Sequence, residues 1–274
     1  MPWRLGYKTF KIDRKTVEIR IGYLVENGEV AFKGNILYYQ GLGDSMLNHD
    51  PLFESLVNNG YRVIAFDYMG QGGSEGTMND TRISNINELG DKVIKLLSRK
   101  NGPDGLKYHI IGWSTGGLAA YQKAYQDGGR FVKSVTLIAP GIVPNYIVGE
   151  GLFNFPIDEI SMRTLTTNTF EGVNDPHEDR IFPRSPVYVP AFAFDLQCIA
   201  KKSRSWRIDP KIKGLVLLSG ADDTYVDARK TKRVLSRNAK HFGVKQYAGA
   251  LHEIDNEVES IASDVRLSIL NFLK

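Results

Sequence analysis

Apolar and polar positions along the chain fall into segments of two kinds. Residues 7–12 and 17–25 alternate, with Val17, Ile19, Ile21 and Tyr23 spaced two apart, and 11–15 turn between them. That pattern predicts an antiparallel hairpin. Residues 35–39 (Asn-Ile-Leu-Tyr-Tyr) are nearly continuous in apolar character, as a strand buried on both faces requires. Further strands are predicted at 62–68, 107–113, 132–139, 214–219 and 243–247. Between them, 51–59, 83–99, 115–126, 227–238 and 256–273 read as helices. The second of these sets Ile86, Leu89, Val93 and Leu96-Leu97 on one stripe. Asp50 is the expected N-cap of the first, with Pro51 in its first turn.

Strands and helices in alternation, joined by short turns, predict an α/β fold: a mostly parallel, doubly wound sheet behind an N-terminal antiparallel hairpin. The alternation breaks from 141 to about 209, a stretch rich in proline and aromatics without a clear period. It is expected to be an inserted cap on a single domain spanning 1–274, since it has too little periodicity for a core of its own.

Composition narrows the picture modestly. Hydrophobic residues make up 42% and charged residues 24%, ordinary values for a soluble globular protein. With 35 basic and 31 acidic residues the formal charge is +4, mildly favourable to an anionic lipid surface but without a basic block or aromatic-basic module for nucleic acid. A solvated surface of mixed charge is the first reading and peripheral lipid contact the second; nucleic-acid binding is not expected. The single cysteine, Cys198, cannot form an internal disulfide and reads as a small buried apolar residue. No secretory leader or membrane-spanning apolar run is read, and the expected location is cytoplasmic. Metal-ligand clusters and a phosphate-cradling glycine loop followed by lysine are likewise not read, so no metal or cofactor is expected.

The chemistry concentrates at Gly112-Trp113-Ser114-Thr115-Gly116-Gly117, between a predicted strand and a predicted helix. G-x-S-x-G is common by chance; its strand–turn–helix setting makes it informative. A tight turn there holds the serine exposed, glycines allow close backbone approach, and the helix presents free N–H groups where an oxyanion would form. A serine nucleophile needs a histidine base and a carboxylate, in the order Ser, Asp or Glu, His for this arrangement. Of five histidines, His49 precedes a helix in an early loop, His109 lies inside a strand, His177 is in the insertion and His241 sits before the last strand. His252 follows that strand at its carboxyl end, where open sheets place their sites. The loop after 214–219 offers Asp222, Asp223 and Asp227. Asp227 reads as a helix N-cap; Asp222 and Asp223 are not separable on physical grounds.

The loop Asp67-Tyr68-Met69-Gly70-Gln71-Gly72-Gly73-Ser74, the serine turn, Gly220-Ala221-Asp222-Asp223-Thr224-Tyr225-Val226 and Gly249-Ala250-Leu251-His252-Glu253 together resemble the lysophospholipase and monoacylglycerol lipase branch of the α/β-hydrolase superfamily, which includes serine aminopeptidase-like members. The resemblance covers 35–141 and 214–274. It implies a triad of Ser114, Asp223 and His252, backbone oxyanion donors at Leu42 and Thr115, and a structural role for Asp67. It also implies ester hydrolysis on a small acyl ester: a monoacylglycerol, a lysophospholipid or a simpler ester. One departure stands out: Gln40-Gly41 replaces the family's His-Gly before the oxyanion loop, and Gln40 is expected to brace that loop by hydrogen bonding.

Two other readings stay open. Amide or peptide cleavage would draw on cap carboxylates, among them Asp158, Glu159, Glu171, Asp175, Glu178, Asp179 and Asp195. A ligand receptor that kept the fold and lost turnover is the third. The insertion's aromatics (Tyr146, Phe153, Phe155, Phe170, Phe182, Tyr188, Phe192, Phe194 and Trp206) suit a small core of its own and, collectively, an acyl channel. Its cations Arg163, Arg180, Arg184, Lys201, Lys202 and Arg204 read first as solvated surface and second as a phosphate contact.

Overall fold

A computed structural model describes residues 3–26, 28–99, 106–145, 168 and 190–274. Strands β1 (Arg4–Ile12) and β2 (Lys15–Leu24) form the expected hairpin, with Ile12 opposite Lys15. That pairing leaves a two-residue turn, and Asp13 takes it at φ +52°, a left-handed conformation aspartate tolerates. Strands β3 (Gly34–Tyr39), β4 (Tyr61–Phe66), β5 (Tyr108–Trp113), β6 (Val132–Ile138), β7 (Lys213–Leu218) and β8 (Gly243–Gln246) complete an eight-stranded sheet in the order β1-β2-β4-β3-β5-β6-β7-β8. β2 pairs antiparallel with β4, and every later pairing is parallel.

The continuous apolar strands are buried on both faces because side chains alternate between two cores. Ile36 and Tyr38 of β3 enter one, Leu37 and Tyr39 the other. The first is closed by α1 (Asp50–Val57) and the C-terminal helix α6 (Glu259–Leu273), through Phe53, Leu56, Val265 and Ile269. The second is closed by α2 (Ile83–Leu97), α3 (Thr115–Asp127) and α5 (Ala228–Asn238). In α2 the predicted stripe is buried except near the helix end, where Leu96 is 52% exposed. Ile86, Leu89 and Val93 are each at most 1% exposed, worth about 2 kcal/mol apiece on burial.

The structure corrects several expectations. α1 begins at Asp50, so the cap position falls on His49, and no side chain caps that end. The last helix starts at Glu259, after a 3-10 turn at Ile254–Asn256. The insertion contains a 14-residue helix, α4 (Pro190–Ser203). Phe192 is fully buried and Leu196 and Ile199 pack on the same core, at helical spacing that the surrounding residues obscured. Cys198, on α4, is half-buried rather than fully enclosed. Asp195 of α4 accepts the Ile83 N–H at 2.9 Å, supplying α2 with an N-terminal partner from outside its own sequence. By contrast, Asp227 caps α5 as expected, accepting the Lys230 N–H at 2.7 Å.

Candidate active site

β5 runs directly into α3, and the turn between them is Ser114 at φ +54°, ψ −115°. A non-glycine residue there is strained, and the surroundings hold it. Ser114 N–H donates to Ile138 O at 2.9 Å, and Ser114 O accepts from Gly141 N–H at 2.9 Å and Leu118 N–H at 3.1 Å. The flanking glycines are required by space. A Cβ at position 112 would stand 2.3 Å from Gly116 O, and one at 116 would stand 2.2 Å from Tyr39 O. This close approach sets the N-terminus of α3 against the carboxyl end of β3.

Ser114 Oγ lies 2.7 Å from His252 Nε2, and His252 Nδ1 lies 2.9 Å from Asp223 Oδ2. A carboxylate only accepts, so Nδ1 carries the proton and Nε2 accepts from the serine hydroxyl. The order of groups suits proton removal from Ser114. Trp113 Nε1–H donates to His252 O at 3.0 Å, and the Tyr225 ring stacks on the imidazole at 4.9 Å, so the ring is fixed in orientation as well as position.

Between the two aspartates that sequence could not separate, burial decides. Asp222 is exposed, whereas Asp223 is 4% exposed and faces His252. Asp223 Oδ1 accepts from Tyr225 N–H at 2.8 Å and Val226 N–H at 3.1 Å, and Oδ2 also accepts from Ser219 Oγ at 2.5 Å. Burial pushes its carboxyl upward, but the facing His252 and these donors outweigh burial and hold it below the usual carboxylate range.

The loop after β3 reaches the same place. Gly41 packs against the Trp113 indole so closely that a Cβ would stand 2.4 Å from the ring. Gln40 is 1% exposed and its Nε2–H donates to Asp44 O at 2.8 Å, which braces the loop as expected without the family's histidine. Tyr68 Oη donates to Gln40 O, and Gly43 N–H donates to Gln71 Oε1, each at 2.8 Å. Leu42 sits between these fixed points, half-buried. Thr115 is the first residue of α3, whose leading N–H groups have no partner within the helix. Asp67 anchors the neighbouring turn: its carboxylate accepts from Arg20 Nε at 2.5 Å, Met46 N–H at 2.8 Å and Gly73 N–H at 2.9 Å.

The remaining histidines divide clearly. His109 is half-buried within β5, 2.7 Å from Ser134 Oγ, and burial with Lys133 and Lys213 lowers its pKa to about 4. His241 is exposed and bonds Ile212 O at 3.0 Å. His177 lies outside the described residues, as do the aromatics, cations and acids named above between 146 and 188. His49 is the residue that sequence reasoning passed over. It is fully buried between two carboxylates, Asp44 Oδ2 at 2.9 Å and Asp255 Oδ2 at 2.6 Å. Asp255 is 206 positions away, so no local pattern signals the pairing.

Of the insertion's described aromatics, Phe192 belongs to the main core, Trp206 stacks on Tyr125 at 5.2 Å and Phe194 is exposed. Among the described residues no helix is long and apolar enough to cross a membrane.

Comparison with known proteins agrees with this architecture. Among solved structures, the chain resembles a soluble variant of monoglyceride lipase from Saccharomyces cerevisiae bound to a substrate analog. That match has 18% identity and a TM-score of 0.73, covering 99% of this chain and 94% of the other. A monoacylglycerol lipase from Paleococcus ferrophilus matches at 19% identity and TM-score 0.69, over 93% of this chain and 98% of that one. A thermostable carboxyl esterase from Bacillus coagulans in complex with glycerol matches at 15% identity and 0.71, over 100% and 98%. A curated relative named as a carbamate hydrolase, RutD of Variovorax paradoxus, is 31% identical over 110 residues. That segment is 40% of this chain, and the chain spans only 39% of the relative's length. The family model described as "Serine aminopeptidase, S33" matches residues 31–259, which takes in β3 through the start of α6 and every residue of the Ser114, Asp223 and His252 constellation. The chain belongs to the serine aminopeptidase S33 family of α/β-hydrolases.

Proposed function

We propose that this hydrolase cleaves carboxylic esters of acyl chains, such as monoacylglycerols, lysophospholipids or simpler esters, through an acyl-enzyme on Ser114. The observation that carries the reading is the continuous hydrogen-bonded chain from Ser114 Oγ through His252 to a buried, ionised Asp223. In the first step His252 Nε2 takes the serine proton as Oγ attacks the ester carbonyl, and Asp223 stabilises the imidazolium. The Leu42 and Thr115 N–H groups receive the oxyanion; removing one such donor typically costs on the order of 10²–10³ in rate. The imidazolium then protonates the departing alcohol, and water, activated by the same histidine, releases the acid.

The insertion is read as a cap over this site within a single domain. The match to lipases and an esterase supports an apolar acyl group as the part of the substrate held there. The mildly positive charge suits approach to an anionic lipid surface.

The test is labelling by a fluorophosphonate probe followed by a hydrolysis panel of short esters, monoacylglycerols and lysophospholipids. The expected result is stoichiometric modification of Ser114 and turnover of at least one ester class. Folded protein that takes no label at Ser114 rules the reading out. The family's description favours aminopeptidase or amidase activity as the second reading. Of the acids it would recruit, Asp195 already serves the N-terminus of α2. Turnover of aminoacyl-nitroanilides as fast as esters would move the assignment to that reading.

A further inference from the structure

His49 takes no part in the hydrogen-bonded chain from Ser114 to Asp223, yet it is as enclosed as any residue of that chain. Its two ring nitrogens face carboxylate oxygens on both sides, Asp44 Oδ2 and Asp255 Oδ2. A neutral imidazole has a single N–H and would turn a lone pair toward one of these acceptors. With both carboxyls ionised, the two contacts are satisfied together when both nitrogens carry hydrogen, that is, by the imidazolium. The electrostatics agree: burial pushes the ring's pKa down, but Asp255 and Asp44 outweigh it and raise it well above the ordinary histidine value. The three side chains form one hydrogen-bonded unit.

The location of this unit gives it a task. Asp44 follows Gly43 in the loop that carries Leu42, and Gln40 Nε2 donates to its backbone oxygen. Asp44 Oδ1 also accepts from Asn48 Nδ2 at 2.6 Å. Asp255 lies in the 3-10 turn Ile254–Asn256, immediately after His252 and Glu253. That turn is tied back by Asn256 Nδ2, which donates to Asn48 O at 2.9 Å and to Glu253 Oε1 at 2.7 Å. The His49 ring also packs 5.3 Å from the Trp113 ring, whose indole N–H holds His252 O. Three segments distant in sequence, the loop after β3, the end of β5 and the loop after β8, therefore meet at one buried cation.

We propose that His49 is a positioning residue for acyl transfer, joining through Asp44 and Asp255 the loop that carries Leu42 to the loop that carries His252. The inference rests on the ester-hydrolase reading above. A donor and a base that must meet one tetrahedral intermediate from opposite loops need a shared frame, because displacement of about 1 Å can cost on the order of 10²-fold in rate. His49 touches no reacting atom and acts only through the loops it joins.

The experiment compares wild type, His49→Gln and Asp255→Asn on a short ester, with kcat expressed per serine titrated by fluorophosphonate. Each single variant is expected to lose about tenfold in kcat per titrated serine, with KM moving less than about threefold. The double variant is expected to be no slower than the worse single one, since both break one unit. A loss below threefold in kcat per titrated serine overturns the inference, as does a double variant whose loss is the product of the singles. A purely architectural histidine would lower the titratable fraction and Tm and leave the rate per serine intact. Should His49→Gln fail to fold, Asp255→Asn, which keeps the imidazole, carries the measurement alone. Wild type labelled at Ser114 and active, with variants of unchanged kcat, removes this inference and leaves the ester-hydrolase reading standing; wild type neither labelled nor active removes both.

Discussion

His252 and His49 each lie beside the Trp113 ring, at 5.4 and 5.3 Å between centroids, and each is almost completely buried. Their partners differ by one group. His252 has a carboxylate on one nitrogen and a hydroxyl on the other; His49 has a carboxylate on both. A hydroxyl can donate or accept, so the His252 ring is satisfied with one proton or with two. A carboxylate can only accept, so His49 is satisfied with two. In the proposed mechanism the same side chain, in the same few ångströms of protein, is thus a proton carrier in one place and a fixed cation in the other. Burial does not separate the roles, and nearness to the reacting serine does not by itself explain them. The second partner does.

The largest effect should come from removing the carrier. Ser114→Ala and His252→Ala are each expected to lower kcat for ester hydrolysis by about 10⁶-fold, with the double variant no worse than either single one. Steady-state rates on a chromogenic ester, against a buffer blank, measure this; variants keeping a tenth of wild-type turnover would place the chemistry elsewhere. Next in size is the orienting carboxylate. Asp223→Asn leaves the shape but presents an amide to His252 Nδ1, and a loss of about 10⁴-fold in kcat is expected. Asp222→Asn, one position away and exposed, should stay within twofold of wild type. Equal losses at 222 and 223 would undo the assignment that burial makes.

The smallest effect concerns pH and stability, where the two centres should behave oppositely. His49 has a raised pKa when folded, so its stabilisation is complete below the unfolded histidine value and is lost as pH rises through the folded one. Asp223 has a lowered one, so its stabilisation is present above the unfolded aspartate value and is lost as pH falls through the folded one. Urea midpoints should therefore show the deficit of His49→Gln relative to wild type shrinking from pH 6 toward pH 9. The deficit of Asp223→Asn should shrink instead below pH 4. A His49→Gln deficit that stays constant across the alkaline range would mean the ring is not held as a cation.

How legible these features were in the sequence follows from how local their causes are. Ser114 sits in a turn whose glycines are two residues away on either side, so its pattern is contiguous. His252 could be found because a parallel sheet places the end of each strand at one edge. Asp223 needed the resemblance, since Asp222 differs from it only in which way the loop turns. The strands and most helices emerged within a few residues because alternation and helical spacing are properties of short segments. α4 was missed although Phe192, Leu196 and Ile199 carry the period; proline and aromatic residues on its flanks blurred it. Asp50 looked like a cap because its type and the following proline suit one, yet the helix starts at Asp50 itself and His49, at the cap position, has both ring nitrogens committed elsewhere. The His49 unit was invisible for a simpler reason: its carboxylates lie 5 and 206 positions away, and only the folded sheet brings the second one near.

The backbone at position 114 carries a consequence of its own. At φ +54° a residue branched at Cβ crowds its own main chain, so threonine is strained there although its hydroxyl is chemically close to that of serine. Glycine would sit easily and do nothing; cysteine would fit and change the chemistry. The alphabet open to an inheritable change at this one position is therefore set by a torsion angle before it is set by reactivity.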